Sequence, residues 1–160
     1  MEQRFEQIYA EHREAVRAYV RRRCPEPVVE DVVSETFVVC LRKIDRVPAE
    51  PLPWLYAVAW KTLANERRKR ARVAPSQPLI AEPEPVGDGV LADAFNRLSE
   101  KDREVLRLIA WEGLSLSDAA TVLECSVVAC RVRYHRAKSR LASRLDAAAS
   151  VTPTPKEVTR

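Results

Sequence analysis

The chain has 160 residues, of which 46% are hydrophobic and 31% are charged. This length suits one ordinary domain or two small ones, and the hydrophobic share excludes a wholly unfolded chain. With three glycines against eleven prolines, and many Ala, Leu, Val, Arg and Glu, the composition favours helices over a turn-rich β fold.

The positive charge is concentrated in two stretches, although the formal net charge is only +4. Residues 61–72 hold six Lys or Arg against one Glu, and residues 131–144 hold six Lys or Arg and no acid. The rest of the chain is acidic overall. Two basic segments on an acidic background predict a polyanionic partner that binds at two places, with two solvated helix faces as the alternative.

Four cysteines, Cys24, Cys40, Cys125 and Cys130, occur without a CxxC pair, so we expect no metal site and no cofactor. Cys40, Cys125 and Cys130 have apolar neighbours and are predicted to be small core residues. The N-terminus lacks the apolar segment of a secretory signal, and no apolar run is long enough to span a membrane. We therefore expect a cytoplasmic protein with reduced thiols that does not insert into a membrane.

Residues 1–72 are predicted to form a first helical unit. Its first helix carries a stripe of residues at steps of three and four that is predicted to face a core, namely Phe5, Ile8, Tyr9, His12, Val16, Tyr19 and Val20. The second helix, from about Val28 to Ile44, has an inward face of Val32, Val33, Thr36, Phe37, Cys40, Leu41 and Ile44. A proline-rich loop follows. The third helix, from about Trp54 to Arg72, begins apolar and ends basic.

Residues 73–89 are predicted to be a proline-rich linker to a second helical unit, residues 90–147, and residues 148–160 a disordered tail. In the second unit, Ser99 with Asp102 and Ser115 with Asp118 resemble capping boxes that open two helices. Gly113 ends the first of them. Ser126 caps a last helix that runs to about Leu145.

A short helix, a tight turn at Glu124 and Cys125, and a long basic helix form a helix-turn-helix pattern. The exposed side of the long helix carries Arg131, Val132, His135 and Arg136. Arginine pairs with guanine edges or phosphates, and a valine methyl contacts thymine. Arg133, Lys138 and Arg140 flank this side and suit phosphates. We therefore predict duplex DNA binding, with a solvated basic helix as the alternative.

In the first unit, Trp54 follows a rigid loop and its helix ends in NERRKRAR. An aromatic surface beside cations is how proteins grip single-stranded DNA, although Trp54 could instead be a core residue. Glu30, Asp31 and Glu35 indicate an acidic docking face. The sequence offers no catalytic constellation, so we do not expect an enzyme.

These segments resemble the extracytoplasmic-function (ECF) sigma factors of the sigma-70 family. The runs FEQIYAEHREAVRAYVRRR, VVEDVVSETFVVCLRKI and PWLYAVAWKTLANERRKR look like their region 2. The run LSEKDREVLRLIAWEGLSLSDAATVLECSVVACRVRYHRAKSRL looks like their region 4. The resemblance implies an all-α fold of two domains whose separation is set by promoter spacing.

The resemblance also implies a role for each segment in transcription initiation. The helix that docks the clamp coiled coil of core RNA polymerase would carry Asp31, Glu35, Thr36, Phe37 and Arg42, and the polymerase flap is a further expected partner. The loop from Val47 to Pro53 would capture a flipped base of the −10 element. The −10 recognition and melting helix would carry Trp54, Lys61, Asn65, Arg67 and Arg68. The −35 element in duplex DNA would be met by Arg131, Val132, Arg133, His135, Arg136 and Lys138. Many relatives are held by an anti-sigma factor, which is therefore a candidate partner.

Three positions depart from the family pattern. Glu124 occupies a turn where the family usually has glycine, Ala129-Cys130 replaces a common Thr-Val, and Trp60-Lys61 replaces a frequent Arg-Asn. Two other functions fit part of the sequence. A dimeric helix-turn-helix regulator that does not bind core polymerase would need only the second unit, and a protein-binding adaptor would bind DNA weakly and with a steep salt dependence.

Overall fold

The computed structural model describes residues 1–73 and 89–151, which contain seven α-helices and no strand. The helices are α1 (Glu2–Arg21), α2 (Glu26–Arg42), α3 (Leu52–Val73), α4 (Val90–Asn96), α5 (Glu100–Ala110), α6 (Leu116–Leu123) and α7 (Val127–Val151). A short 3-10 helix, Ile44–Arg46, follows α2. The predicted all-α fold is confirmed. No helix in the described part of the chain is long and apolar enough to cross a membrane.

The first unit consists of α1, α2 and α3, which pack against one another. Their contact buries the predicted apolar stripes, including Val16, Val20, Val32 and Leu63, each with no exposed surface. The loop before α3 is held from α1, because the Arg4 guanidinium donates to the carbonyls of Ile44 at 2.8 Å and Val47 at 2.6 Å. The position of this loop is therefore set by the first helix of the unit.

The second unit consists of α4 to α7, and its helix starts follow the predicted caps. The hydroxyls of Ser99 and Ser115 accept from the amides of Asp102 at 3.2 Å and Asp118 at 3.1 Å. Ser126 caps α7 in the same way by accepting from the Ala129 amide at 3.1 Å. Each hydroxyl satisfies an amide that lacks a partner within its helix, which explains why the helices begin there.

Several boundaries differ from the prediction. Helix α3 begins at Leu52 rather than Trp54, since Pro53 fits a first turn, where an amide hydrogen has no helical partner. Helix α7 continues to Val151, past both the predicted end and the predicted start of the tail. Helix α4 was not predicted. The predicted linker, apart from its two end residues, and residues 152–160 of the tail lie outside the described residues.

The two units are in contact, and α3 packs on α6. The expectation that they stand apart is therefore wrong for this structure. Ion pairs cross the boundary from Lys61 to Glu124 and from Arg67 to Glu100. The separation of the two units was inferred from the spacing of the two promoter elements that they would bind. Without DNA, these cations of the first unit form ion pairs with acids of the second unit.

Candidate nucleic-acid and protein interfaces

Helix α7 presents the predicted DNA-facing surface, defined here as Arg131, Val132, His135 and Arg136. All four residues are exposed, and their spacing places them on one side of the helix. The opposite side carries Cys130 and Ala137, which have no exposed surface, and packs on α5 and α6. The helix is therefore anchored along one side and free to meet DNA along the other.

The flanking cations of α7 have partners within their own unit. The guanidinium of Arg133 donates to the Asp102 carboxylate at 3.2 Å, and that of Arg140 donates to its other oxygen at 2.6 Å. Lys138 lies 5.3 Å from the Tyr134 ring centroid. Arg133 and Arg140 therefore orient α7 on α5. Arg133 is nevertheless half-exposed, and Arg140 and Lys138 are exposed.

The turn before α7 has a strained residue at the position where the family usually has glycine. Glu124 has φ +52° and ψ +46°, the left-handed conformation that disfavours side chains with a Cβ. The preceding residues Ala119 and Ala120 of α6 are buried, and the Cys125 amide donates to the Ala120 carbonyl at 3.1 Å. The conformation expected for a glycine is thus kept although the residue is glutamate.

The basic end of α3 carries the residues predicted to meet the −10 element. Lys61, Asn65 and Arg68 are exposed, and Arg67 is half-buried, with its guanidinium 5.8 Å from the Trp60 ring centroid. Trp54 is half-buried and packs against the core, so both interpretations of this residue agree with its position. Two of these cations, Lys61 and Arg67, face acids of the second unit.

On α2, the predicted docking residues divide into two sets. Asp31, Glu35 and Arg42 are exposed, as a surface that binds a partner requires. Thr36 and Phe37 are buried, at 0% and 3% exposure, and the Thr36 hydroxyl donates to the Val32 carbonyl at 2.7 Å. The Thr36 side chain thus supports the helix from inside, whereas Phe37 lines a groove between α1 and α2. The assignment of both residues to the docking surface stays a prediction.

An open groove of about 250 Å³ between α1 and α2 adjoins these exposed residues. It is lined in part by Tyr9, Val38 and Leu41, which are 39%, 38% and 50% exposed. The prediction that Leu41 and Tyr9 point inward was wrong in this respect. The exposure of Tyr9 and Leu41 depends on how α1 and α2 cross, so helical periodicity alone could not predict it. Val38 was not part of the predicted inward stripe of α2, and its exposure agrees with that prediction.

The cysteines also divide by burial. Cys24, Cys40 and Cys130 are buried, whereas Cys125 is exposed, so its assignment to the core was wrong. Its place in the turn before α7 leaves the side chain outside the helix packing. Burial raises the pKa of the Cys24 thiol to about 11. No group of three or more His, Cys, Asp or Glu within residues 1–73 and 89–151 is arranged to hold a metal ion.

Both helical units match known protein families. The family model described as sigma-70 region 2 matches residues 8–73, and that described as sigma-70, region 4 matches residues 89–141. RNA polymerase sigma factor CnrH of Cupriavidus metallidurans is 31% identical and covers 89% of this chain and 87% of its own length. ECF RNA polymerase sigma factor EcfG of Rhodopseudomonas palustris is 29% identical, over 72% of this chain and 70% of its own.

The fold is also similar to that of a sigma factor of known structure. The sigma factor RpoE from Bartonella quintana, in complex with the anti-sigma factor NepR, superposes with a TM-score of 0.67 at 27% identity. The match covers 89% of this chain and 96% of that one. Together with the family matches to both regions, this likeness extends over both helical units. The chain therefore belongs to the sigma-70 family and is an RNA polymerase sigma factor of the extracytoplasmic-function group.

Proposed function

We propose that this sigma factor divides its work among three surfaces, each on a different helix. The exposed side of α2 docks on the clamp coiled coil of core RNA polymerase. The start and basic end of α3 meet the −10 element, and the DNA-facing surface of α7 reads the −35 element. The observation that carries this scheme is the anchoring of α7, which leaves Arg131, Val132, His135 and Arg136 together on its open side.

For the −35 element, the proposed readout is direct. Arg131 and Arg136 supply donors for guanine edges or phosphates, and Val132 supplies an apolar contact for a thymine methyl. The Arg133 guanidinium donates to Asp102 at 3.2 Å. Its proposed contribution is therefore to orient α7 in the major groove of the DNA and to add positive charge near the phosphates. Lys138, on the next turn, is an exposed phosphate contact in this scheme.

For core polymerase, the proposed surface combines charge with an apolar groove. Asp31, Glu35 and Arg42 are exposed on α2, and the groove beside them exposes Tyr9, Val38 and Leu41. Exposed apolar groups with charged residues at their margin are typical of protein interfaces. The same surface is a candidate binding site for an anti-sigma factor, since a factor bound there would block the binding of core polymerase.

In the proposed mechanism, the sigma factor opens DNA by binding alone and makes or breaks no covalent bond. Bases of the −10 element that leave the duplex are trapped by Val47 to Pro53, which form the loop before α3 and the start of that helix. The other proposed contacts lie further along α3, at Trp54, Lys61, Asn65, Arg67 and Arg68. Trapping stabilises the open DNA, so the duplex-to-open equilibrium shifts by mass action. Since its partner polymerase works on chromosomal DNA, we place the protein in the cytoplasm.

The test is reconstitution with purified bacterial core RNA polymerase. The chain should co-elute with core enzyme and direct transcription from genomic fragments at defined start sites, whose alignment then gives the promoter. Core enzyme alone is the control. Duplex DNA binding without polymerase binding would contradict the scheme and would favour a dimeric helix-turn-helix regulator.

A further inference from the structure

Two cysteines lie on either side of the cap that begins helix α7. Ser126 is the cap residue, because its hydroxyl accepts from the Ala129 amide at 3.1 Å and its carbonyl accepts from the Cys130 amide at 2.9 Å. Cys125 is therefore the residue immediately before the cap, and Cys130 is the fourth residue of the helix. Side chains at these two positions of a helix start commonly pack against each other and set the angle at which the chain enters the helix.

The two thiols differ in exposure, and their side chains interact. Cys125 is exposed in the turn, whereas Cys130 has no exposed surface, and both thiols are free. Burial raises the pKa of the Cys130 thiol, and the Cys125 thiol raises it further through its charge and a hydrogen bond. A hydrogen bond between two thiols requires neighbouring sulfur atoms. One sulfur is thus open to solvent, and the other lies behind it.

The backbone on both sides of the cap is held in place. The Glu124 amide donates to the Thr121 carbonyl at 3.3 Å and the Cys125 amide donates to the Ala120 carbonyl at 3.1 Å, so the turn is tied to the end of α6. Cys130 is held by the core, because its side of α7 packs on α5 and α6. A bond between the two sulfur atoms would therefore join parts that already pack together.

A peroxide is an oxidant that can join the two thiols. The Cys125 thiolate attacks one oxygen of hydrogen peroxide and the O–O bond breaks, which gives Cys125 sulfenic acid and a hydroxide that takes up the thiol proton. The Cys130 sulfur then attacks the Cys125 sulfur. The S–S bond forms as the S–O bond breaks, and the leaving hydroxide takes the Cys130 proton and becomes water. Two thiols and one peroxide thus give one disulfide and two water molecules, and a dithiol reductant reverses the oxidation by exchange.

We propose that Cys125 and Cys130 form a reversible disulfide in the presence of peroxide, and that this bond fixes the start of α7 to the turn before it. Cys125 is the thiol that peroxide reaches first, and Cys130 resolves its sulfenic acid. Because the second step takes place within the chain, it protects Cys125 from further oxidation to sulfinic acid. The disulfide rests on the two thiols and the cap between them, so it does not depend on the proposed contact of α7 with DNA.

Peptide mapping after trypsin digestion tests the disulfide. Cys125 and Cys130 lie on one tryptic peptide, residues 108–131, and Cys24 and Cys40 share another, residues 24–42. The second pair is an internal control, because both of its thiols are buried and lie at opposite ends of α2, before its start and in its last turn. The folded full chain is treated with excess hydrogen peroxide, remaining thiols are alkylated in denaturant, and the peptides are weighed with and without dithiothreitol treatment.

In the parent chain, peptide 108–131 should lose about 2 Da, the mass of two hydrogen atoms, take up no alkyl group, and recover both thiols in dithiothreitol. Peptide 24–42 should keep both of its thiols. In the variant Cys130→Ala, Cys125 should instead gain about 32 Da, the two oxygens of sulfinic acid, because nothing resolves its sulfenic acid. A parent peptide 108–131 that stays unchanged, or that gains oxygen without losing hydrogen, would overturn the proposal.

The variant Cys125→Ala is the matched control at the exposed position. It should form no disulfide, and its Cys130 should remain a thiol after peroxide treatment. Circular dichroism checks that each variant is folded. If Cys130→Ala loses its helix content because a buried side chain is shortened, the comparison of the parent with Cys125→Ala still decides the outcome.

Thermal unfolding followed by circular dichroism tests the effect on α7. The oxidised parent should unfold at a temperature several degrees above that of the reduced parent, because the disulfide restricts the unfolded chain. Cys125→Ala should unfold at the same temperature with and without peroxide. An equal or lower unfolding temperature for the oxidised parent would overturn the fixing of the start of α7, even where the disulfide itself is found.

Discussion

The Arg140 guanidinium lies 2.6 Å from the Asp102 carboxylate, which joins the middle of helix α7 to the first turn of α5. Asp102 is 3% exposed at its side chain and also accepts from Arg133 at 3.2 Å. One buried carboxylate thus holds two cations of α7. This relationship positions the DNA-facing surface, although Asp102 itself lies away from it.

The variant Asp102→Asn should therefore loosen α7 and lower the free energy of unfolding by about 1–2 kcal/mol, since charge-assisted hydrogen bonds are lost and both arginines are partly solvated. Urea denaturation followed by circular dichroism measures this change. Asp118→Asn is a matched control, because Asp118 has the same place in the next capping box but no ion pair with α7. Equal effects of the two substitutions would contradict the role assigned to Asp102.

The variant Arg136→Ala should weaken binding to a duplex that contains the −35 element by roughly 1–3 kcal/mol, because a donor to base edges or phosphates is lost. Electrophoretic mobility shift at fixed salt measures it once the promoter is known. Arg144→Ala is the control, since Arg144 is exposed on the same helix beyond the region 4 match. Binding to core polymerase should be unaffected by either change.

The double variant Asp31→Lys and Glu35→Lys should lose binding to core polymerase while duplex −35 binding is retained, because the charge of the docking side of α2 is reversed. Gel filtration with core enzyme measures the first property and mobility shift the second. Glu11→Lys with Glu14→Lys makes the same charge change on exposed positions of α1. If the α2 variant lost DNA binding as well, the division between surfaces would be incorrect.

The variant Glu124→Gly should be more stable than Glu124→Ala by about 1 kcal/mol, since only the glycine is free of strain at φ +52°. Both substitutions remove the ion pair with Lys61, so their comparison isolates the backbone effect. Thermal unfolding of the two variants under the same conditions provides the measurement. Equal stability would mean that this turn relaxes to another conformation when its carboxylate is removed.

One thiol, Cys125, should react with a thiol reagent at pH 8 much faster than the other three, because it is the exposed cysteine. Burial raises the pKa of Cys24 to about 11, so this thiol stays protonated at pH 8 and gains reactivity only as the pH approaches that value. Mass spectrometry after timed labelling measures the order. In denaturant, all four cysteines should label at similar rates.

Local sequence signals were sufficient to predict six of the seven α-helices in the described part of the chain. Ser99, Ser115 and Ser126 cap their helices as predicted, because a hydroxyl satisfies a neighbouring amide whatever the rest of the chain does. The exposed side of α7 also followed from spacing. By contrast, helix α4 was missed, since a seven-residue helix shows too few turns for a periodic pattern.

Contacts between distant residues could not be predicted in the same way. Tyr9 and Leu41 were assigned to inward stripes, Cys125 to the core and the two units to separate positions, and each of these assignments depended on what lies opposite in space. Nothing along the chain indicates that Arg23 meets Glu104, because the two residues are 81 positions apart. The sequence by itself determined the helices, their caps and the family, since these depend on near neighbours. Only the tertiary structure decided which charges are buried together, because desolvation and pairing depend on how the helices pack.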